Sequence, residues 1–402
     1  MQNKPLWLWH RDILAHYASE EREYDNWEKA RKAETESLEC LVHRDNLFFN
    51  QELIDEFLAQ ARDGRRPVRL AFHMDDPSIA RHVKPLTHSF FQQDNLLLAD
   101  IWYLPQGLSQ SLAAKPLIID TESRERGYYH IPPYMASEHG DLVYELPRKV
   151  FVLVENWVHI FVADILLGVF ARGAAVEDRV DSDWKYKLKI MFHSLLEQKQ
   201  FLSNSEVVRI GENCNIDPTA IIKGFTTIGD HVTIGAGVVV DNCIIGNNVT
   251  ISQGCQLLLS VVGDYCFLPF RAALFMTTLM EYSSVAQNTC LQLCVVGRDS
   301  FIGAGNTFTD FNVLGGALRT MDHESELADT NLLVLGGCVG HHCRISSGNT
   351  FYAARTIESD VVLLASEEKH FITKNVAYED SDYHTHADKF RYSRDYPRPD
   401  EK

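Results

Sequence analysis

Two adjacent histidines, His341 and His342, lie in the run Val339-Gly340-His341-His342-Cys343-Arg344-Ile345. An imidazole titrates near neutral pH, so it can take a proton from a hydroxyl or amine as that group attacks a carbonyl carbon. His323 lies upstream of the pair and could meet it as a second ligand. Zinc would need a further histidine at compatible spacing; none is close, so no metal is expected. Asp75-Asp76-Pro77 offers two carboxylates to Mg²⁺, but the tripeptide is first of all a turn signature.

The surroundings of these histidines have a period. Ile210, Ile216, Ile222, Ile228, Ile234 and Val240 are spaced by six. The series resumes at Ile245, Ile251 and Leu257, then at Val262, Leu268, Leu274 and Met280. It continues through Val296, Ile302, Phe308 and Leu314, and through Val339, Ile345, Phe351, Ile357 and Leu363. Neither an α-helix nor a plain strand repeats every six residues. A parallel β-helix does, with three short strands per coil and one inward aliphatic residue per strand. Seventeen of the 23 glycines fall between Gly211 and Gly348, many directly after the aliphatic, where tight corners are expected. Cys214 and Cys343 take a small inward position four residues after an aliphatic, as core filler. Residues 315–338 break the phase.

With this repeat, residues 206–368 resemble the hexapeptide-repeat, left-handed β-helix transferases. The likeness implies an acyltransferase that passes an acyl group, acetyl from acetyl-CoA, to a sugar or sugar nucleotide. It also implies a homotrimer with sites between neighbouring prisms. His341 matches, in register and flanks, the catalytic histidine of the acyltransferases of lipid A synthesis and is the expected general base; His342 and His323 are the alternates. A thioester donor needs cations for its phosphates and amide donors for its oxyanion. By type alone, Arg344, Arg355 and Lys374 are the cofactor-binding candidates, and Asn306, Asn312 and Asn349 the substrate-binding ones. The excursion at 315–338 would wall the cleft.

The whole layout is loosely similar to the bifunctional sugar-1-phosphate nucleotidyltransferase/acetyltransferases. The carriers of that likeness are Leu41-Val42-His43-Arg44-Asp45-Asn46-Leu47-Phe48-Phe49 and the Trp-bearing helix from Glu155. Their glycine-rich nucleotide loop is missing here: Gly64 is the first glycine of the chain. Without such a turn, backbone amides do not approach a triphosphate closely, so an active nucleotidyltransferase is not expected and an inactive relative stays open. The rival to all enzyme readings is a non-catalytic β-helix for assembly or ligand binding.

The expected fold class is an α/β N-terminal half followed by an all-β left-handed parallel β-helix. All six tryptophans lie at or before Trp184, and eight of the nine cysteines from Cys214 onward. The segments are a helical 1–34, a mixed α/β domain 35–154, a helical connector 155–205, the β-helix 206–368 and a charged tail 369–402. Within the first half, helices are expected over 5–33 and from Asn50 to Gly64, and strands at 68–72, 96–103, 117–119 and 150–154. A net charge of −17 opposes general nucleic-acid binding. No signal peptide is read, and Trp157–Ala171 is read as a buried helix rather than a membrane span, since it is short and holds His159 and Asp164. Free thiols without CxxC pairs fit a cytoplasmic protein.

Overall fold

The computed structural model describes residues 1–33, 38–108, 114–130, 141–312, 315–322, 326–388 and 391–398. The chain divides into two compact units, Asn3–His159 and Ile160–Lys402, with Gln2 grouped with the second.

In the first unit Asn50 caps helix Gln51–Gly64, its Oδ1 accepting the Leu53 N–H. The helix buries Leu53, Ile54, Phe57, Leu58 and Ala61, the 3–4 spacing of one face. That face packs with Leu70, Phe72, Leu97 and Ile101 of the sheet. Strand Leu96–Leu104 lies between Cys40–His43 and Val68–His73, antiparallel to both, and Val68–His73 also pairs in parallel with Lys115–Ile118. The helix expected over 5–33 is two short ones, Leu6–Leu14 and Trp27–Ala33. The hairpin Ser123–His130/Asp141–Pro147 carries no sequence signal as clear. Asp76 is a turn acceptor: its carboxylate takes the N–H groups of Ser78, Ile79 and Thr121 and the Thr121 hydroxyl.

The second unit opens with the helical run Val162–Ser182 and helix Trp184–Glu197. The longer run Trp157–Ser182 has the length and composition to cross a bilayer, but 72% of its apolar window is buried. Helix Trp184–Glu197 buries Tyr186 and Ile190 and exposes Trp184, Leu188, Met191, Phe192, Leu195 and Leu196.

Then comes the prism, a left-handed β-helix with three faces of eight parallel strands each. The first face runs from Val208–Ile210 to Thr356–Ile357, the second from Asn215–Ile216 to Val362–Leu363, the third from Ile221–Lys223 to Phe371–Ile372. Ile228, Ile245, Val262, Leu279, Val296, Val339 and Ile357 stack inward on the first face. The inward residue is therefore Leu279, not Met280. In the central coils the inward positions are spaced six, six and five, so the phase slips by one each turn. Outward residues Ile244, Val261, Thr278 and Val295 of this face are nevertheless buried, and Thr278 donates to Asp164 of the helical run at 3.3 Å.

The glycines after the inward aliphatics are not the turn residues. A Cβ on Gly229, Gly263 or Gly297 would stand 2.5 or 2.6 Å from its nearest neighbour in the next coil. Close stacking of coils demands them. The left-handed turn positions at the same corner are instead Asn213, His231, Asn248, Tyr265, Tyr282, Asp299, His342 and Asp360, with φ of 48–64°. Small inward corner residues also form ladders between coils. Thr277 N–H meets Ser260 Oγ, Cys294 N–H meets Thr277 Oγ1, and Cys343 N–H meets Ser300 Oγ. Burial pushes the thiols of Cys243, Cys266, Cys294 and Cys343 up to about 12.

Candidate active site at a prism corner

Residues 340–344 turn from the first face to the second, between coils carrying 297–300 and 358–361. His341 and His342 are neighbours in sequence but belong to different columns of this corner.

His341 follows Glu212, Asp230, Asn247, Asp264, Glu281 and Arg298 in one column and precedes Ser359. In several coils the side chain in this column accepts a backbone N–H from the coil before: Asp230 from Glu212 (2.7 Å), Asn247 from Asp230 (2.8 Å), Asp264 from Asn247 (2.8 Å). His341 does the same, Nδ1 accepting the Arg298 N–H at 3.0 Å, while its own N–H goes to Ser359 Oγ. An amide N–H can only donate, so Nδ1 holds the lone pair and the neutral ring carries its proton on Nε2. Burial and the Arg298 charge lower its pKa, favouring that neutral form. In this arrangement the neutral His341 presents its Nε2–H, rather than a lone pair, away from the corner backbone.

His342 occupies the left-handed column between Asp299 and Asp360. Its Nδ1 lies 2.8 Å from Asp360 Oδ1, and Asp360 is fully buried. A carboxylate only accepts, so Nδ1 carries a proton, and in the neutral ring Nε2 would hold the lone pair that a base needs. Nε2 lies 3.7 Å from Asp299 Oδ2. Asp299 is shared with Arg344, whose guanidinium reaches its carboxylate at 3.1 and 3.3 Å and also its carbonyl. Residues 391–398 lie over the corner: Tyr392 stacks on His342 with ring centroids 4.4 Å apart.

The other candidates fall elsewhere. Arg344 is the one cofactor-binding candidate at the histidine corner. Arg355 stands at the corner from the third face to the first, donating to the carbonyls of Ala353 and Arg319. Exposed Lys374 follows the last strand of the third face. Asn306 and Asn349 are corrected outright. Both are fully buried inside the prism, with amides spent on the carbonyls of Gly303 and Ser346, and Asn349 N–H donating to Asn306 Oδ1. Asn312 bonds the Gly315 carbonyl at 2.6 Å. The excursion's hairpin, Arg319–Met321 with Leu327–Asp329, folds onto the Arg355 corner, where Thr320 Oγ1 donates to the Ala354 carbonyl. His323 and Leu314 lie outside the described residues. No group of three or more His, Cys, Asp or Glu able to hold a metal occurs among the described residues. Asp360 was missed by sequence reasoning, although its spacing of 18 from His342 places it one coil away.

Residues 208–242 match the family described as "Bacterial transferase hexapeptide (six repeats)". The chain is similar to the bifunctional protein GlmU of Pseudoalteromonas atlantica, 24% identical over 194 residues, which is 44% of this chain and 43% of that protein. GlmU of Geotalea uraniireducens is 42% identical over 57 residues, 14% of this chain and 12% of that protein. These matches span less than half the length of either relative. Among solved structures, the UDP-N-acetylglucosamine acyltransferase from Campylobacter jejuni is similar over 42% of this chain and 69% of that one, at 12% identity and a TM-score of 0.23.

Proposed function

Taking the second unit as a hexapeptide-repeat β-helix of the transferase superfamily, we propose that the chain transfers an acyl group from acyl-CoA, acetyl-CoA first, to a sugar or sugar nucleotide. The observation that carries this reading is the His342–Asp360 pair at a prism corner. Nε2 of His342 takes the proton of the acceptor hydroxyl or amine as its oxygen or nitrogen attacks the thioester carbonyl. The tetrahedral intermediate collapses, the carbon–sulfur bond breaks, and the departing thiolate regains the proton from Nε2. Asp360 is a positioning residue: it fixes the tautomer and stabilises the imidazolium that forms. Arg344 is the cation nearest this pair among the cofactor-binding candidates. A homotrimer, with a neighbouring prism closing the cleft, is part of the proposal.

The test is thiol release from acetyl-CoA by the full chain with a panel of amino- and hydroxy-sugar nucleotides. His342→Ala is expected to lower kcat by about 10²–10⁴, with His341→Ala milder. Asp360→Asn, which keeps a residue tolerant of the left-handed turn, should fall between them. Titration calorimetry showing no binding of any acyl-CoA would sink the reading. The rival, a non-catalytic assembly or ligand-binding β-helix, is favoured by one observation: Tyr392 covers His342 and leaves it 8% exposed.

A further inference from the structure

We propose that residues 391–398 form an autoinhibitory strap, closing the His342–Asp360 pair until the segment lifts. The proposal rests on the transferase reading of that pair.

The strap has no helix or strand of its own, and its contacts fall on the groups in question. Tyr392 lies flat on the His342 imidazole, rings 1° from parallel, and its hydroxyl donates to the His342 carbonyl. Tyr396 tilts over His341 at 4.8 Å. The N–H groups of Asp395 and Tyr396 donate to Asp360 Oδ1 and Oδ2 at 3.0 and 2.8 Å. Asp395 and His342 Nδ1 thus share one oxygen, Oδ1. When the strap leaves, that oxygen serves the imidazole alone, so the movement that uncovers the base also improves its orientation.

The anchor is electrostatic and lies beyond the site. Arg398 donates to both Glu358 oxygens at 2.7 and 2.6 Å and to Glu379 at 2.8 Å. Arg394 lies over the Tyr378 ring at 4.1 Å. Partly exposed ion pairs of this kind weaken in salt, which suits a reversible clasp. The prism does not depend on the strap for closure: Asp360 N–H still reaches the His341 carbonyl, and Cys343 N–H the Ser300 hydroxyl.

The experiment compares the full chain with a variant lacking 391–402 and with Tyr392→Ala, using diethyl pyrocarbonate and reading modification at each histidine by mass spectrometry. His231, exposed in the same corner column, is the internal standard. In the full chain His342 should react well behind His231. In the shortened chain, with melting unchanged, it should react at least about tenfold faster, and Tyr392→Ala should move it the same way if the deletion unfolds the protein. Thiol release from acetyl-CoA should rise in parallel. A His342 as reactive as His231 in the intact chain, or unmoved in both variants, overturns the strap. Release of His342 without a rise in measurable transfer overturns autoinhibition. Release with no transfer by any form leaves His342 covered by the strap but removes the transferase reading.

Discussion

The two units bury polar groups in opposite ways. In the prism the same solution recurs coil after coil. Ser260, Thr277, Ser300 and Asn306 each accept the N–H of the matching residue one coil on. In the first unit Lys149 and Asp76 are each satisfied by a set of partners that does not recur along the chain. Lys149 Nζ meets Glu56 at 2.6 Å, Glu122 at 2.9 Å and the Asp120 carbonyl at 3.1 Å. Asp76 meets Thr121. A repeated solution spreads risk along the stack, whereas a unique one concentrates it in a few side chains.

The hardest blow to the prism should come from its axis rather than its ladders. Ile302→Asp puts an unpaired carboxylate at a fully buried position, at a cost of several kcal/mol, on the order of a whole stability margin. A soluble variant with an unchanged urea midpoint would mean that the inward register is wrong.

Next is Lys149→Met in the first unit. Lys149 is 2% exposed, and its removal takes a cation from Glu56 and leaves Glu122 with Arg148. Because both partners are partly exposed, about 2–3 kcal/mol is expected, at or below the lower end for broken buried pairs. The same cluster should make this unit acid-sensitive. Hydrogen bonds from Arg148 and Lys149 pull the Glu122 pKa from 4.5 down to about 2. A carboxylate with a folded pKa below its unfolded one stabilises the fold above pH 4.5, and this contribution fades as pH falls toward 2. Five of the six tryptophans lie in the first unit, so their fluorescence should change ahead of the β-sheet circular dichroism on acidification. Coincident transitions would argue against a separate weak point.

Thr277→Val removes one rung of a ladder and leaves the Cys294 N–H without its partner. About 1 kcal/mol is expected, measured by thermal melting, with neighbouring rungs intact. A loss as large as that of Lys149→Met would show that the ladder acts as one unit. The smallest effect belongs to His231→Gly at an exposed left-handed corner. Relief of backbone strain and the greater freedom of glycine when unfolded nearly cancel, leaving a change within about 0.5 kcal/mol.

The same contrast explains what could be read in advance. The prism was legible because its period is local; the inward position misread as Met280 rather than Leu279 lies where a coil drops a position, and the corner glycines were read as turn residues when coil stacking requires them. Helix Gln51–Gly64 was legible from Asn50 and its 3–4 spacing. The sheet order around Leu96–Leu104 was not, since nothing in that strand names Cys40–His43 as its distant partner. At the site, the histidine pair stood out by residue type, but its division of labour depends on columns that only stacking defines. Acceptors at Asp230, Asn247 and Asp264, spaced by 17, were the available signal that the position of His341 serves the backbone. Nothing in Tyr392 or Asp395 marks a tail that returns to the corner.

The thiols inside the prism bear on redox behaviour. Disulfide exchange and oxidation both require a thiolate that an attacking molecule can reach. Cys243, Cys255, Cys266, Cys294 and Cys343 pack among aliphatic side chains of the core, and burial suppresses their ionisation, as it does for Cys338 on the outward side of the first face. Their reduced state is kept by packing, whatever the glutathione poise outside. The β-helix core should pass between reducing and oxidising surroundings unaltered, with the half-buried Cys214 and Cys290, and Cys40 in the first unit, as the sites where an oxidant registers first.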